Sequence, residues 1–313
     1  MRNKAVELIT EFARNDENIV LLTADLGYNV LEPFSDEFPD RFINGGIAEQ
    51  NLMGVAAGLA KEGKTVFLYS FSNFLTLRCL EHLRIDCAYH NLNINLLAIG
   101  GGFPYGSLGM THQGTEDIAV VRALPNVIVA TPSDDEEVEC VLKEIVNLNK
   151  TCYIRLERSG GPHFHDSIDN YKLGDAIKVK PGEDVVIFGV GTILKECIES
   201  RENLSKNGVS VAIYSFPTVK PIDKDLIEKC AKKFKLIVTI EEHNIYGGLG
   251  SAVSEVLSEI NHNSIQLALA LPDTYTYEIG SQDYLREVYK LNSKAIEDEI
   301  LNAWNNKIKK NNQ

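Results

Sequence analysis

"FINGGIAEQNLMGVAAGLAKEG" (42–63) sets an acid, Glu49, between a glycine pair and a run of small and apolar residues. Leu52, Val55, Ala56 and Leu59 recur at the spacing of one helix face, with Gly54, Ala57 and Gly58 allowing close approach. The spacing predicts a packed helix over 48–61 that starts on a carboxylate. An acid in a first turn is favoured by the helix dipole. The same acid beside a flat wall of small residues would suit a hydrogen bond to a ring nitrogen of a ligand. This segment alone leaves both readings open.

Outward from it, β-branched runs alternate with helical periods. Strands are expected at 18–25, 64–70, 92–101, 126–133 and 151–158, with helices at 48–61, 75–89 and 133–149. Ser133 and Asp134 suit a helix start, and the acids after them suit its positive end. "RSGGPHFHDSIDNYKLGDA" (158–176) breaks the rhythm and reads as a linker. The alternation then restarts, with strands at 184–191, 209–216 and 235–242 and helices at 193–208, 223–234 and 247–260. The expected class is α/β: two domains, 1–165 and 174–313, each a mainly parallel sheet with helices on both faces.

The 313 residues carry 31 basic and 44 acidic side chains, a formal charge of −13. The basic residues are scattered, which argues against nucleic-acid or anionic-membrane partners, since phosphate binding needs a clustered positive face. The lysine-rich tail "NNKIKKNNQ" (305–313) reads as a frayed end. No apolar run approaches the roughly 20 residues of a membrane helix, and "MRNKAVELITEFARND" has no signal-peptide core. Six cysteines without a CxxC pair read as reduced, mostly buried thiols of a cytoplasmic protein. His163 and His165 in "GGPHFHD" read as loop surface and not as metal ligands, because further ligands are missing nearby.

The glycine-rich stretch "GGGFPYGSLGMTHQGTEDIAVVRALPN" (100–126) follows an expected strand, where α/β proteins place their sites. His112 within it suits a general acid/base or a donor to a substrate oxygen, or is a loop histidine without a role. A helix is expected from about Thr115. The stretch fits neither the phosphate-loop pattern nor the dinucleotide fingerprint. Tyr69, Phe71 and Phe74 read as core aromatics, one of which could stack on a planar heterocycle. Arg158 and Arg2 suit surface ion pairs or an anion.

Taken in order, "TADL" (23–26), "FINGGIAEQNLMGVAAGLA" (42–60), "YSFSNFLTLRCLEHLRIDCAYHNLNI" (69–94), "GMTHQGTEDIAVVRALPNVIVATPSD" (109–134) and "EEHNIYGGLGSAVSE" (241–255) resemble the thiamine-diphosphate enzymes of the transketolase superfamily. The chain is similar to the second half of a transketolase: a pyrimidine-binding domain followed by the C-terminal domain. The family's GDG segment, which holds the diphosphate and Mg²⁺, is not in this sequence; "LGDA" (173–176) is the nearest piece. The resemblance therefore implies a split enzyme, inactive alone, whose partner is an N-terminal subunit carrying that domain, in an α2β2 assembly.

By the same resemblance, Glu49 bonds N1′ of the cofactor's aminopyrimidine and favours its imino tautomer, while the cofactor carries a two-carbon ketol unit from a ketose to an aldehyde. Phe74 best matches the stacking aromatic, with Phe71 and Tyr69 next, and Asp25 of "TADL" falls among the cofactor positions. His112 matches a histidine that contacts the substrate; Arg158 and Arg2 match positions that bind a sugar phosphate. Leu108 stands where the family has an acid that reads an acceptor hydroxyl, and Asn29 where it has a serine near the phosphate. Both departures point away from ordinary pentose phosphates. Two other readings remain: the β subunit of a 2-oxo-acid dehydrogenase E1 component, and a scaffold subunit without catalysis.

Overall fold

Short β-branched and aliphatic runs, punctuated by glycine and asparagine, become strands, and the central ones, such as Ile19–Thr23 and Ile94–Ile99, are buried on both faces. The computed structural model describes residues 1–158 and 160–309; residues 310–313, the end of the tail expected to fray, lie outside the described residues. The strands are β1 (Ile19–Thr23), β2 (Phe42–Asn44), β3 (Thr65–Phe71), β4 (Ile94–Ile99), β5 (Val127–Ala130), β6 (Thr151–Leu156), β7 (Ile177–Lys180), β8 (Val185–Gly189), β9 (Val211–Ser215), β10 (Thr218–Lys220), β11 (Leu236–Asn244) and β12 (Ile265–Leu271).

They form a seven-stranded sheet, ordered β10-β5-β6-β4-β3-β1-β2, and a five-stranded sheet, ordered β12-β11-β8-β9-β7. All pairings are parallel except β10 on β5 and β7 on β9. In the larger sheet β1 runs to β2 on one side, while the next strand, β3, pairs on the other. Such reversals open a crevice at the carboxyl ends of the strands. The loops after β2, β3, β4 and β6 leave from that edge, and they carry Glu49, Phe74, His112 and Arg158.

β10 comes from the second half of the chain but extends the sheet of the first, so the two halves are stitched together. Thr131 N donates to Pro217 O at 2.7 Å, and Lys220 Nζ donates to the Arg122 and Leu124 carbonyls. One apolar cluster runs across the junction, joining Val121, Leu124 and Val129 to Phe188, Phe216 and Val219. Three-residue strands such as β2 and β10 are too short to show a period in sequence.

The helix Glu49–Lys61 forms where its spacing predicts, burying Leu52, Met53, Ala56 and Ala57. The helix Asp135–Ile145 is capped by Asp134, whose carboxylate accepts from Glu137 N at 2.9 Å. The expected helix over 75–89 does not form as one piece. A single turn, Ser72–Leu75, is followed by irregular turns, a turn at Leu80–His82 and a π-helix at Leu83–Ala88. Thr76 Oγ1 bonds back to the Ser72 carbonyl at 2.7 Å, and Arg78 N reaches five residues back to Asn73 O. Both bonds compete with a regular helical ladder. The helix expected near Thr115 begins at Asp117. Beyond residue 260, β12 and the helices Gln282–Val288 and Ser293–Ala303 complete the second half.

Candidate active site

Glu49 is the first residue of its helix and only 3% exposed. Its Oε2 accepts from Arg78 Nη1 at 2.6 Å. Arg78 comes from the irregular segment after β3, and its guanidinium carbon lies 4.1 Å from the centroid of the Phe74 ring. Gln50 Nε2 fastens the Arg78 carbonyl at 2.9 Å. A buried carboxylate thus faces an aromatic ring across a flat, nitrogen-rich group. The place suits a planar base that donates an N–H to the acid and stacks on the ring.

From Phe74 a run of edge-to-face ring contacts leads across the crevice. His112 lies 5.3 Å from Phe74 and 4.7 Å from Phe71, and Phe71 lies 5.0 Å from Tyr105, centroid to centroid. Tyr105 then gathers both candidate anion-binding arginines: Arg2 Nη1 donates to its hydroxyl at 3.0 Å, and the Arg158 guanidinium lies over its ring at 4.5 Å. Among the described residues, Arg2 Nε is buried with no hydrogen-bond partner. Glu49, Phe74, Phe71, His112, Arg2 and Arg158 are therefore joined by one continuous run of contacts through Arg78 and Tyr105.

His112 sits on a half-buried turn, Met110–His112, with Thr111 Oγ1 2.9 Å from its Nδ1. Burial, and then the nearby Arg78 charge, hold its pKa below the ordinary histidine value. The ring is therefore mainly neutral at pH 7 and able to accept a proton. Asn73 fixes the turn, donating from Nδ2 to the carbonyls of Met110, Thr111 and Gln113. Gln113 in turn donates to the Gly106 and Glu278 carbonyls and bonds the Thr276 hydroxyl.

The second half of the chain supports this loop from behind. Glu242 Oε2 accepts from Phe103 N at 2.9 Å, and Arg286 and Gln282 bond the same carboxylate. Arg155, buried, bonds Asp117 and the carbonyls of Gly114 and Glu242. The glycines of 100–114 are needed for that approach: a Cβ on Gly101 would lie 2.0 Å from Arg155 Nε, and one on Gly102 2.4 Å from Glu242 Oε2.

Other candidates stand apart. Tyr69 is 1% exposed, so it offers no face to a ring and belongs to the core. Asp25 lies on the turn after β1, where Tyr28 and Asn44 donate to its carboxylate; Asn29 follows on that exposed turn, with its N–H on Glu32. Leu108 is exposed on the His112 loop. His165, read from sequence as loop surface, is instead buried at its side chain, with Nε2 2.9 Å from Glu137 Oε1. Asp134, Glu137 and His165 draw close enough for a metal. Their oxygens are, however, taken by the amides of Ser133, Glu137, Phe164 and His165. They latch the linker to the helix Asp135–Ile145.

Sequence reading missed Arg78, Asn73 and Tyr105. Arg78 lies four residues after Phe74, the separation at which side chains meet on a helical turn, and that spacing was the available signal.

Two family descriptions match the chain: "Transketolase, pyrimidine binding domain" over residues 1–162 and "Transketolase, C-terminal domain" over 174–296. A putative transketolase C-terminal section of Methanocaldococcus jannaschii is 37% identical over 304 residues, 96% of this chain and 95% of that one. A 6-deoxy-6-sulfo-D-fructose transketolase subunit of a Clostridium species is 33% identical, covering 95% and 92%. A solved split-gene transketolase, described as an inactive beta4 tetramer, superposes with a TM-score of 0.87 at 34% identity, covering 96% and 97%. The chain belongs to the transketolase family, of which it carries the pyrimidine-binding and C-terminal domains.

Proposed function

We propose that this chain is the C-terminal subunit of a two-subunit, cytoplasmic, thiamine-diphosphate-dependent transketolase. It transfers a two-carbon ketol unit from a ketose, in phosphorylated form or not, to an aldehyde acceptor. The partner, an N-terminal subunit, carries the diphosphate and Mg²⁺ contacts, and two copies of each chain make the working assembly. The observation that carries the reading is the seat between the buried Glu49 carboxylate and the Phe74 ring, which already accepts a planar N–H donor.

Thiamine diphosphate, when bound, supplies carbanion chemistry that no side chain offers. Glu49 would hold a proton at N1′ of its aminopyrimidine, and Phe74, backed by Phe71, would fix the plane of the ring. His112, neutral at pH 7, is placed to bond a substrate hydroxyl and take its proton. Arg2 and Arg158, gathered on Tyr105, would hold an anionic end of the sugar. Asp25 and Asn29, on the turn after β1, would act further out. Leu108, exposed on the His112 loop, gives an acceptor no acid to bond, which favours modified sugars over ordinary pentose phosphates.

The test is a coupled ketol-transfer assay with thiamine diphosphate and Mg²⁺. This chain alone is expected to be inactive, and its mixture with the partner active. Full activity of the isolated chain contradicts the split reading; a mixture inactive on every ketose donor contradicts ketol transfer.

A further inference from the structure

Arg78 fills the seat just assigned to the cofactor's pyrimidine. Its guanidinium is planar, cationic and rich in N–H donors. It lies against the face of Phe74 at 4.1 Å and donates to Glu49 at 2.6 Å. An aminopyrimidine carrying a proton at N1′ is a conjugated amidinium, likewise flat and cationic, and its N1′–H would offer Glu49 the single N–H that Arg78 Nη1 now supplies. We propose that Arg78 is a built-in plug: it holds the pyrimidine seat closed and neutralises buried Glu49 until thiamine diphosphate displaces it. This inference rests on the proposed function, since it takes that cofactor as the displacing ligand.

Four features suit a movable plug. The Arg78 side chain is 43% exposed while Glu49 is 3% exposed, so one partner of the pair has somewhere to go. Beside the pair lies an open cavity of about 500 Å³, lined in part by Gln50, Leu77, Glu81 and Arg84, into which the side chain can swing. The backbone can stay in place, because Gln50 and Asn73 hold the Arg78 carbonyl and amide independently of its side chain. The segment is also broken into short turns here, so no regular helix must unwind.

The plug serves a physical need. A carboxylate this buried would be costly without a counter-charge. The same counter-charge must then be displaced, so apparent cofactor affinity falls by the fraction of time the seat is open.

The experiment is calorimetric titration of thiamine diphosphate, with Mg²⁺, into the reconstituted pair carrying wild-type, Arg78→Ala or Arg78→Lys chains, with stopped-flow binding rates alongside. Arg78→Ala is expected to tighten binding by about tenfold, for a plug seated roughly nine-tenths of the time, and to speed association. Arg78→Lys, which keeps the charge but loses the flat stack, is expected to fall between, and it serves as the informative variant if Arg78→Ala fails to assemble. Tight wild-type binding with equal or weaker binding by the variants overturns the plug and makes Arg78 idle or a support for Glu49. A wild-type pair that binds no thiamine diphosphate removes the cofactor reading itself, and the plug with it.

Discussion

Two kinds of buried ion pair lie within this molecule, and they differ in how far the cation is sealed and how firmly the pair is tied. Arg155–Asp117 and Arg286–Glu242 are sealed on both sides, with exposures of 5% and 0% and of 3% and 4%. Arg78–Glu49 is sealed on the acid only, with 43% of the arginine side chain in the open. The sealed pairs are tied further: Arg155 also holds two carbonyls, and Glu242 also holds Phe103 N and Gln282. Breaking either leaves an uncompensated charge in the interior. The half-open pair can exchange its cation for another planar one at little structural cost. Sealed pairs fix the shape of the His112 loop; the open pair keeps a place for a ligand.

The largest effect should come from breaking a sealed pair. Arg155→Met leaves Asp117 buried without its cation, and a loss of about 3–5 kcal/mol is expected in urea unfolding. A loss below about 1 kcal/mol would make this pair no different from an exposed one. A smaller effect is expected at the linker latch. Burial disfavours a charged His165, but the hydrogen bond and charge of Glu137 outweigh it and raise its pKa. A raised folded pKa gives stability that is fully present below the ordinary value near 6.5 and is lost as pH rises through the folded value. His165→Gln should therefore lower stability by about 1 kcal/mol at pH 6 and less at pH 8. An equal loss at both pH values would show that His165 acts by packing alone. The smallest effect concerns the open pair. Arg78→Met should move the His112 titration midpoint upward in NMR, since the Arg78 charge contributes to holding it down. A downward or absent shift would place the two groups outside electrical contact.

The central strands of both sheets were legible in sequence because they are continuous buried runs, as in "IVLLT" and "INLLAI", whereas the less buried or very short β2, β7, β10 and β12 were not expected. The Glu49 helix was legible for the same kind of reason, an unbroken helical period beginning at an acid. The segment after β3 was not. Its apolar spacing is helical, but the side chains of Thr76 and Asn73 bond backbone groups and break the ladder, an effect that no periodicity reports. β10 was illegible because its partner strand lies some 90 residues earlier. Residue type and place made Glu49, His112 and Phe74 candidates, and the family resemblance gave them roles. Of the groups that hold them, Asn73 and Tyr105 could not be found this way, since their roles depend on contacts between distant parts of the chain, whereas Arg78 left a local trace in its four-residue spacing from Phe74. Tyr69 shows the converse: the right residue type beside the site, but turned into the core.

The central claim is that the Glu49 carboxylate governs a proton on the bound thiamine ring. Its most direct test is turnover of the reconstituted pair carrying Glu49→Gln, with assembly followed by sedimentation. The account predicts an intact pair whose turnover falls by about 10²-fold or more. An intact pair with near-normal turnover would contradict it.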